Sequence, residues 1–215
     1  AALELNPRYE EAKLNKSLIH LRLLNFDMGW KLYEYRFITY PKESRNKFIT
    51  KNFFDKNFDS LGRVFIFKEQ GIGDQILFGS LLHEIDDGKR EIYVEVDERL
   101  LSIFKWSFLH INFFTSQNYP EAFKPDITLG VSSLAGFLRQ STAAFKNQKI
   151  KFLERDKDTT LKLKDRLSKL KSHSHDKIIG IAWRSQNKQF GIQKSLELEH
   201  LLPILKIPNI KFVNL

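Results

Sequence analysis

Two short stretches hold the side chains best placed to do chemistry. The first is Glu69-Gln70-Gly71-Ile72-Gly73-Asp74-Gln75. The apolar run Val64 to Phe67 precedes it and a helical pattern follows it, so the glycines sit in a strand-to-helix turn. A helix N-terminus there offers unpaired backbone N–H groups and a partial positive charge, which suits an anion. Asp74 falls at that terminus. Its carboxylate is open to three uses, capping the helix, taking a proton as a general base and binding a substrate. The second stretch is 178–195. Strand Ile178 to Ala182 ends in Trp183-Arg184-Ser185, and a polar loop leads to Lys194-Ser195. Arg184 and Lys194 could clamp a phosphate, one as a bidentate fork and the other as a point charge. The competing reading makes them ordinary loop cations. Trp183 is likewise open to stacking on a ring or to closing a core.

These side chains need a scaffold, and the hydrophobic pattern supplies one. After Val64–Phe67, Leu77, Leu81 and Ile85 mark one helical stripe, with Phe78 and Leu82 beside it. Strands are expected at Glu91 to Val96, Ile111 to Phe114, Asp126 to Leu129, Ile178 to Trp183 and Ile210 to Leu215. Helices are expected at Glu98 to Lys105, Ser133 to Leu138, Thr159 to Leu170 and Leu196 to Leu205, the third with Leu163, Leu167 and Leu170 on one face. Such alternation implies an α/β fold with a mostly parallel sheet flanked by helices. Ligands bind such sheets in the crevice at the carboxyl ends of the strands.

Composition narrows the classes. The chain has 215 residues, 42% of them hydrophobic, with 19 Phe, six Tyr and three Trp. That is enough apolar material for a real core in one large domain or a domain with an appendage. No uncharged apolar stretch approaches the length of a membrane span, and the N-terminus has no signal-peptide pattern. The start of the chain reads as the middle of something larger. There are no cysteines, which excludes disulfides, thiolate metal sites and a cysteine nucleophile and fits a cytoplasmic protein. The six histidines form no ligand cluster in sequence, His173 and His175 lie in a polar loop, and no metal is expected. The formal charge is +9, and residues 146–171 carry ten Lys/Arg against four Asp/Glu. That reads as a solvated helix face, with an anionic surface partner as the alternative. No nucleic-acid-binding module accompanies it, so nucleic acid is not an expected partner.

Residues 8–38 read as a helical hairpin. Leu14, Leu18 and Leu21 lie on the first helix, Asp27 is a plausible cap, and the second helix runs from Met28 to about Phe37 before Pro41. The run Ala2-Leu3-Glu4-Leu5-Asn6-Pro7 resembles the end of a tetratricopeptide repeat, and Ala12, Asn15, Leu18, Gly29 and Tyr33 resemble one further repeat. Arg36 departs from the pattern, standing where a small residue is usual. One hairpin cannot bury both faces, so its partner is an earlier repeat, the following domain or another chain.

The chain as a whole resembles bacterial tetratricopeptide-linked glycosyltransferases of the GT-B architecture, relatives of the heptosyltransferases and, more distantly, the O-GlcNAc transferases. Gly29-Trp30, Tyr33-Glu34-Tyr35-Arg36, Glu69 through Ile76 and Gly180-Ile181-Ala182-Trp183-Arg184 carry the resemblance. It implies a TPR-like hairpin over 1–40, a connecting segment over 41–60, a Rossmann-like acceptor domain over 61–175 and the start of a second, incomplete Rossmann-like domain over 176–215. The implied function is sugar transfer from a nucleotide sugar to a hydroxyl of a glycan or protein, without metal or cofactor. Asp74 falls on the position of the family's general base. Glu69, Gln70, Gly71, Gly73 and Gln75 would line the acceptor side. Trp183, Arg184, Ser185, Lys194 and Ser195 would face the donor. A lone repeat and an unfinished second domain also favour a protein partner at the hairpin or a homo-oligomer.

Two other readings compete. In one, the hairpin and a degenerate sugar-nucleotide domain form a non-catalytic interaction module. In the other, the protein is a dinucleotide-binding oxidoreductase. There Gly71-Ile72-Gly73 lacks the third glycine of the fingerprint, and Glu95 or Asp97 would be the nearest ribose-binding acid.

Overall fold

The computed structural model describes residues 2–39, 58–120, 122–146, 148–185 and 191–215. Most of the connecting segment expected at 41–60 lies outside the described residues, as does the middle of the loop between Ser185 and Lys194. The chain forms two compact units, Ala1–Arg155 and Asp156–Leu215. The domain boundary expected at 175/176 falls inside the second unit, which includes the basic helix.

The first unit opens with a short helical turn, α1 (Ala2–Leu5), and then α2 (Glu10–Arg22) and α3 (Phe26–Tyr33). The two longer helices pack closely at Gly29, where a Cβ would stand 2.6 Å from Leu21 Cδ2. Leu14 and Ser17 are buried on α2. The single second helix expected from Met28 to Phe37 is instead broken. After α3 the chain turns at Glu34-Tyr35 and resumes as α4 (Arg36–Thr39). The break lets Glu34 and Arg36 both reach inward. Asp27 is not the cap. It lies inside α3, paired with Lys31 one turn on at 2.7 Å, and Asn25 takes the N-cap position. The hairpin has its partner in the same unit: Trp30 Nε1 donates to the Arg139 carbonyl at 2.7 Å.

Four strands follow: β1 (Arg63–Phe67), β2 (Glu91–Glu95), β3 (Ile111–Phe114) and β4 (Ile127–Gly130). All pair in parallel, in the order β3-β2-β1-β4. Helices α5 (Ile72–Gly79), α6 (Glu98–Ser107) and α7 (Leu134–Leu138) flank the sheet in a Rossmann-like arrangement. Alternation along β1 explains both layers, since successive strand side chains point to opposite faces. Val64 and Ile66 join the main core with Leu82, Ile85, Phe104 and Leu134. Phe65 and Phe67 face the other way, onto Phe37 and Phe114, and the Phe37 and Phe67 rings lie 5.6 Å apart. The expected stripe through Leu77 fails. The α-helix ends at Gly79 and tightens to a 3₁₀ turn over Ser80–Glu84. That turn has three residues per repeat, so the phase shifts. Leu77 is left 63% exposed while Leu81, Leu82 and Ile85 are buried.

The second unit begins with α8 (Lys157–Ser168), capped by Asp156, whose carboxylate accepts from the Asp158 and Thr159 N–H groups. Strands β5 (Lys177–Ile181) and β6 (Ile210–Asn214) pair in parallel. The helix expected at Leu196 to Leu205 forms as a 3₁₀ turn, Leu198–Leu201, continuing into α9 (Leu202–Leu205) with Pro203 in its first turn. The leucine stripe of α8 buries little. Leu163 and Leu170 are about half-exposed and no residue of that helix is buried. None of the described helices is long and apolar enough to cross a membrane.

Candidate functional site

Strands β1 and β4 are neighbours in the sheet although β2 and β3 intervene in sequence. Their carboxyl ends lie side by side and flank a crevice of the kind where open α/β sheets bind ligands. β1 delivers Lys68-Glu69-Gln70-Gly71 and β4 delivers Val131-Ser132-Ser133. Glu69 is buried. Its Oε2 accepts from Ser132 N at 3.0 Å and Ser132 Oγ at 2.9 Å. Arg36 enters from α4 and meets the same carboxylate. Its Nε donates to Glu69 Oε1 at 2.7 Å, and its Nη2 donates to Ser133 Oγ at 2.7 Å. Nη1 donates to Glu34 Oε1, also at 2.7 Å. The guanidinium lies 3.9 Å from the Phe37 ring centre and 4.4 Å from that of Tyr33. One buried cation therefore holds a buried carboxylate, Glu69, and a partly buried one, Glu34.

The electrostatics follow from that count. Burial works against the Arg36 charge, but the carboxylates of Glu34 and Glu69 outweigh it and hold the guanidinium more firmly protonated than a free arginine. Burial dominates at Glu34 and raises its carboxyl above the usual range, despite Arg36 and the Ser133 hydroxyl. Gly130 is the space that makes the network possible. A Cβ there would lie 2.0 Å from Glu69 Oε2 and 2.8 Å from Phe37 Cζ. Gly130→Ala is expected to destabilise the protein by about 1–3 kcal/mol or more, as overpacking does. Denaturant unfolding of the variant checks this, and an unchanged midpoint would contradict the described packing.

The turn after Glu69 is the second component. Gln70 takes a φ of 53°, the left-handed region that favours glycine. Its Nε2 donates to Tyr33 Oη at 3.2 Å, tying the turn to the hairpin. Gly71 is the N-cap residue of α5, and Asp74 Oδ2 accepts its N–H at 3.1 Å. A cleft of about 600 Å³ lies against this turn, bordered by Leu14, Asn15, Tyr33, Lys68, Gln70 and Gly71. Arg36 and Glu69 form its floor. Of the residues expected on the acceptor side, Glu69, Gln70 and Gly71 therefore meet at one cleft. Gly73 and Asp74 adjoin it through Gly71 without lining it. Gln75 points elsewhere: it is buried, and its Oε1 accepts from Asp97 N at 2.9 Å.

The residues expected on the donor side all belong to the second unit. Ser185 N donates to Ser195 Oγ at 2.9 Å, and Leu196 N donates to the Trp183 carbonyl at 2.9 Å. These bonds close the loop at its base. Arg184 and Lys194 stand on either side of them with exposed side chains. Trp183 borders a cavity of about 300 Å³ with Leu196, Leu201 and Ile204, so its ring packs within the unit.

The acids named for ribose binding are engaged otherwise. Asp97 caps α6 and is held by the Arg99 side chain and backbone, which lower its carboxyl to about 2. Glu95 is buried and accepts from Ser116 Oγ at 2.8 Å. Sequence reasoning missed the ion-paired network beneath the cleft. Glu34 and Arg36 stood out in the chain only through family resemblances, and Ser133 only as the start of a helix. Comparison with family models, with curated proteins and with solved structures finds no match for this chain.

Proposed function

We propose that the chain is a glycosyltransferase-like protein, whose first unit holds a hydroxyl acceptor in the cleft beside the Glu69–Asp74 turn for metal-independent transfer from a nucleotide sugar. The observation that carries this reading is the cleft itself. It sits at the carboxyl end of β1, between that end and the helical hairpin, against a glycine turn that opens a helix. In this reading the hairpin is a TPR-like element that roofs the acceptor cleft. Asp74 keeps its own N-cap bond through Oδ2, which leaves Oδ1 to accept the proton of the attacking hydroxyl. The acceptor oxygen then bonds to the anomeric carbon as the bond from that carbon to the donor phosphate breaks. The departing nucleoside diphosphate is dianionic or more and calls for cationic partners; within the second unit Arg184 and Lys194 carry exposed charges of that sign.

The two steps separate kinetically. Lys68 borders the cleft without touching the proposed base, so Lys68→Ala is expected to raise the acceptor KM several-fold and spare kcat. Asp74→Asn is expected to do the reverse. Initial rates of nucleotide release against acceptor concentration check both, and a variant pair that moves neither parameter would put the site elsewhere.

A second reading, a non-catalytic interaction module, is favoured by one observation: Arg36, the cation lining the cleft floor, already has its guanidinium nitrogens engaged by Glu69, Glu34, Tyr33 and Ser133. Saturable binding of a nucleotide sugar, followed by calorimetry, separates the two. The module reading requires none.

A further inference from the structure

We propose that His173, His175 and Asp176 form a site for a divalent transition metal such as zinc, independent of any glycosyl transfer. The three residues lie in the connection between α8 and β5, within the second unit. One ligating atom from each lies within 4.8 Å of the other two. The imidazole rings stack, with centroids 5.3 Å apart. Ligands around a tetrahedral zinc at about 2.0–2.1 Å stand roughly 3.3 Å from one another. Both imidazoles are exposed, so rotation of their side chains closes the set without disturbing a core.

The surrounding bonds orient each ligand. Asp176 is 3% exposed, and its Oδ2 accepts from Ser172 N at 2.7 Å and His173 N at 3.0 Å. That fixes the carboxylate and turns Oδ1 to the metal. His175 Nε2 lies 3.3 Å from Asn209 Oδ1. An amide oxygen only accepts, so Nε2 carries the hydrogen and Nδ1 keeps its lone pair for coordination. Asn209 is itself tied to the strand pair. It sits at φ 61°, and its carbonyl accepts from Lys177 N at 2.8 Å. This is the outer-shell arrangement that sets tautomer and ring direction in protein metal sites. Two imidazoles and one carboxylate suit zinc, copper or nickel and disfavour magnesium or calcium. The remaining coordination positions belong to water.

The location indicates the role. Asp176 immediately precedes β5 and Trp183 follows it, so a strand of about 17 Å separates the cluster from the Trp183–Ser185 loop. The metal would fix the connection that leads into β5, and the His175–Asn209 contact would pass that order to the turn before β6, in a unit whose helix and strands contain no buried residue. Bound metal stabilises whatever state binds it. Its function is therefore to stiffen this small parallel pair.

Zinc titrated into the untagged whole protein is expected to bind one equivalent and raise amide protection in β5 and β6. His173→Ala and His175→Ala should each weaken binding at least about tenfold, and Asn209→Gly, which keeps the left-handed backbone, also about tenfold. With cobalt the spectrum should show nitrogen and oxygen ligation with no thiolate band, since the chain has no cysteine. Unchanged affinity and stoichiometry in the His173→Ala/His175→Ala double variant would overturn the site. Unchanged affinity in Asn209→Gly would overturn the assigned orientation of His175. Equal competition by magnesium would overturn the metal class.

Discussion

Arg36→Ala is expected to cost about 3–5 kcal/mol of stability, because it leaves the buried Glu69 carboxylate and the partly buried Glu34 carboxylate without their cation. In the intact protein Arg36 neutralises Glu69 and Glu34 and also donates to Ser133. Removing it leaves the protein to ionise acids in a dry site or to protonate them. The pH dependence gives the sign. Burial already raises the Glu34 carboxyl above its ordinary value. A raised acid contributes stability below its unfolded pKa, about 4 for a carboxyl, and loses that contribution as pH rises through the folded value. Without Arg36 that folded value rises further. The variant's deficit should therefore grow as pH rises above the ordinary carboxyl range and shrink on acidification. Urea unfolding at acidic and at neutral pH measures it. A double-mutant cycle with Glu69→Gln should show strong coupling, the double variant losing much less than the sum of its singles. A pH-independent deficit or simple additivity would contradict the network.

Asp74→Asn is expected to leave the fold intact while lowering turnover by about 10²–10⁴-fold, the usual contribution of a positioned general base. The two effects part because the asparagine oxygen can still accept the Gly71 N–H that Asp74 Oδ2 accepts at 3.1 Å. The cap survives and the base does not. Asp74→Ala removes both, so it should lose the same activity and, in addition, about 1 kcal/mol of stability from the cap. If Asp74 served only as a cap, the order would invert: Asn would behave as wild type and only Ala would be impaired.

How much of this was legible in the chain depends on the kind of signal. The strand–turn–helix at 63–79 could be read directly, because an apolar run bounded by glycines has few other structures open to it. The parallel order and the placement of β4 beside β1 could not, since periodicity reports burial and not neighbours. Helix α3 looked continuous through Phe37 because Trp30, Tyr33 and Phe37 keep helical spacing. The break at Glu34-Tyr35 accompanies the pairing of Arg36 with a tertiary partner, Glu69, that local pattern cannot anticipate. For the same reason Arg36 read as a departure from a repeat and not as the centre of a buried cluster. Gln75 looked like a site residue because it follows Asp74, and one helical step turned it to Asp97. Leu163 and Leu170 had the spacing of a buried face, yet the second unit does not cover them. The histidines offered only adjacency. The convergence of two rings and a carboxylate became visible once Asn209 and the start of β5 were in place.

The central claim is that the cleft beside the Glu69–Asp74 turn serves sugar transfer. The most direct measurement is nucleotide release by the whole protein across a panel of nucleotide sugars, with and without hydroxyl acceptors, for wild type and Asp74→Asn side by side. The account predicts acceptor-dependent release from at least one donor and its near-complete loss in the variant. Release undiminished by Asp74→Asn, or no release from any donor, would contradict it.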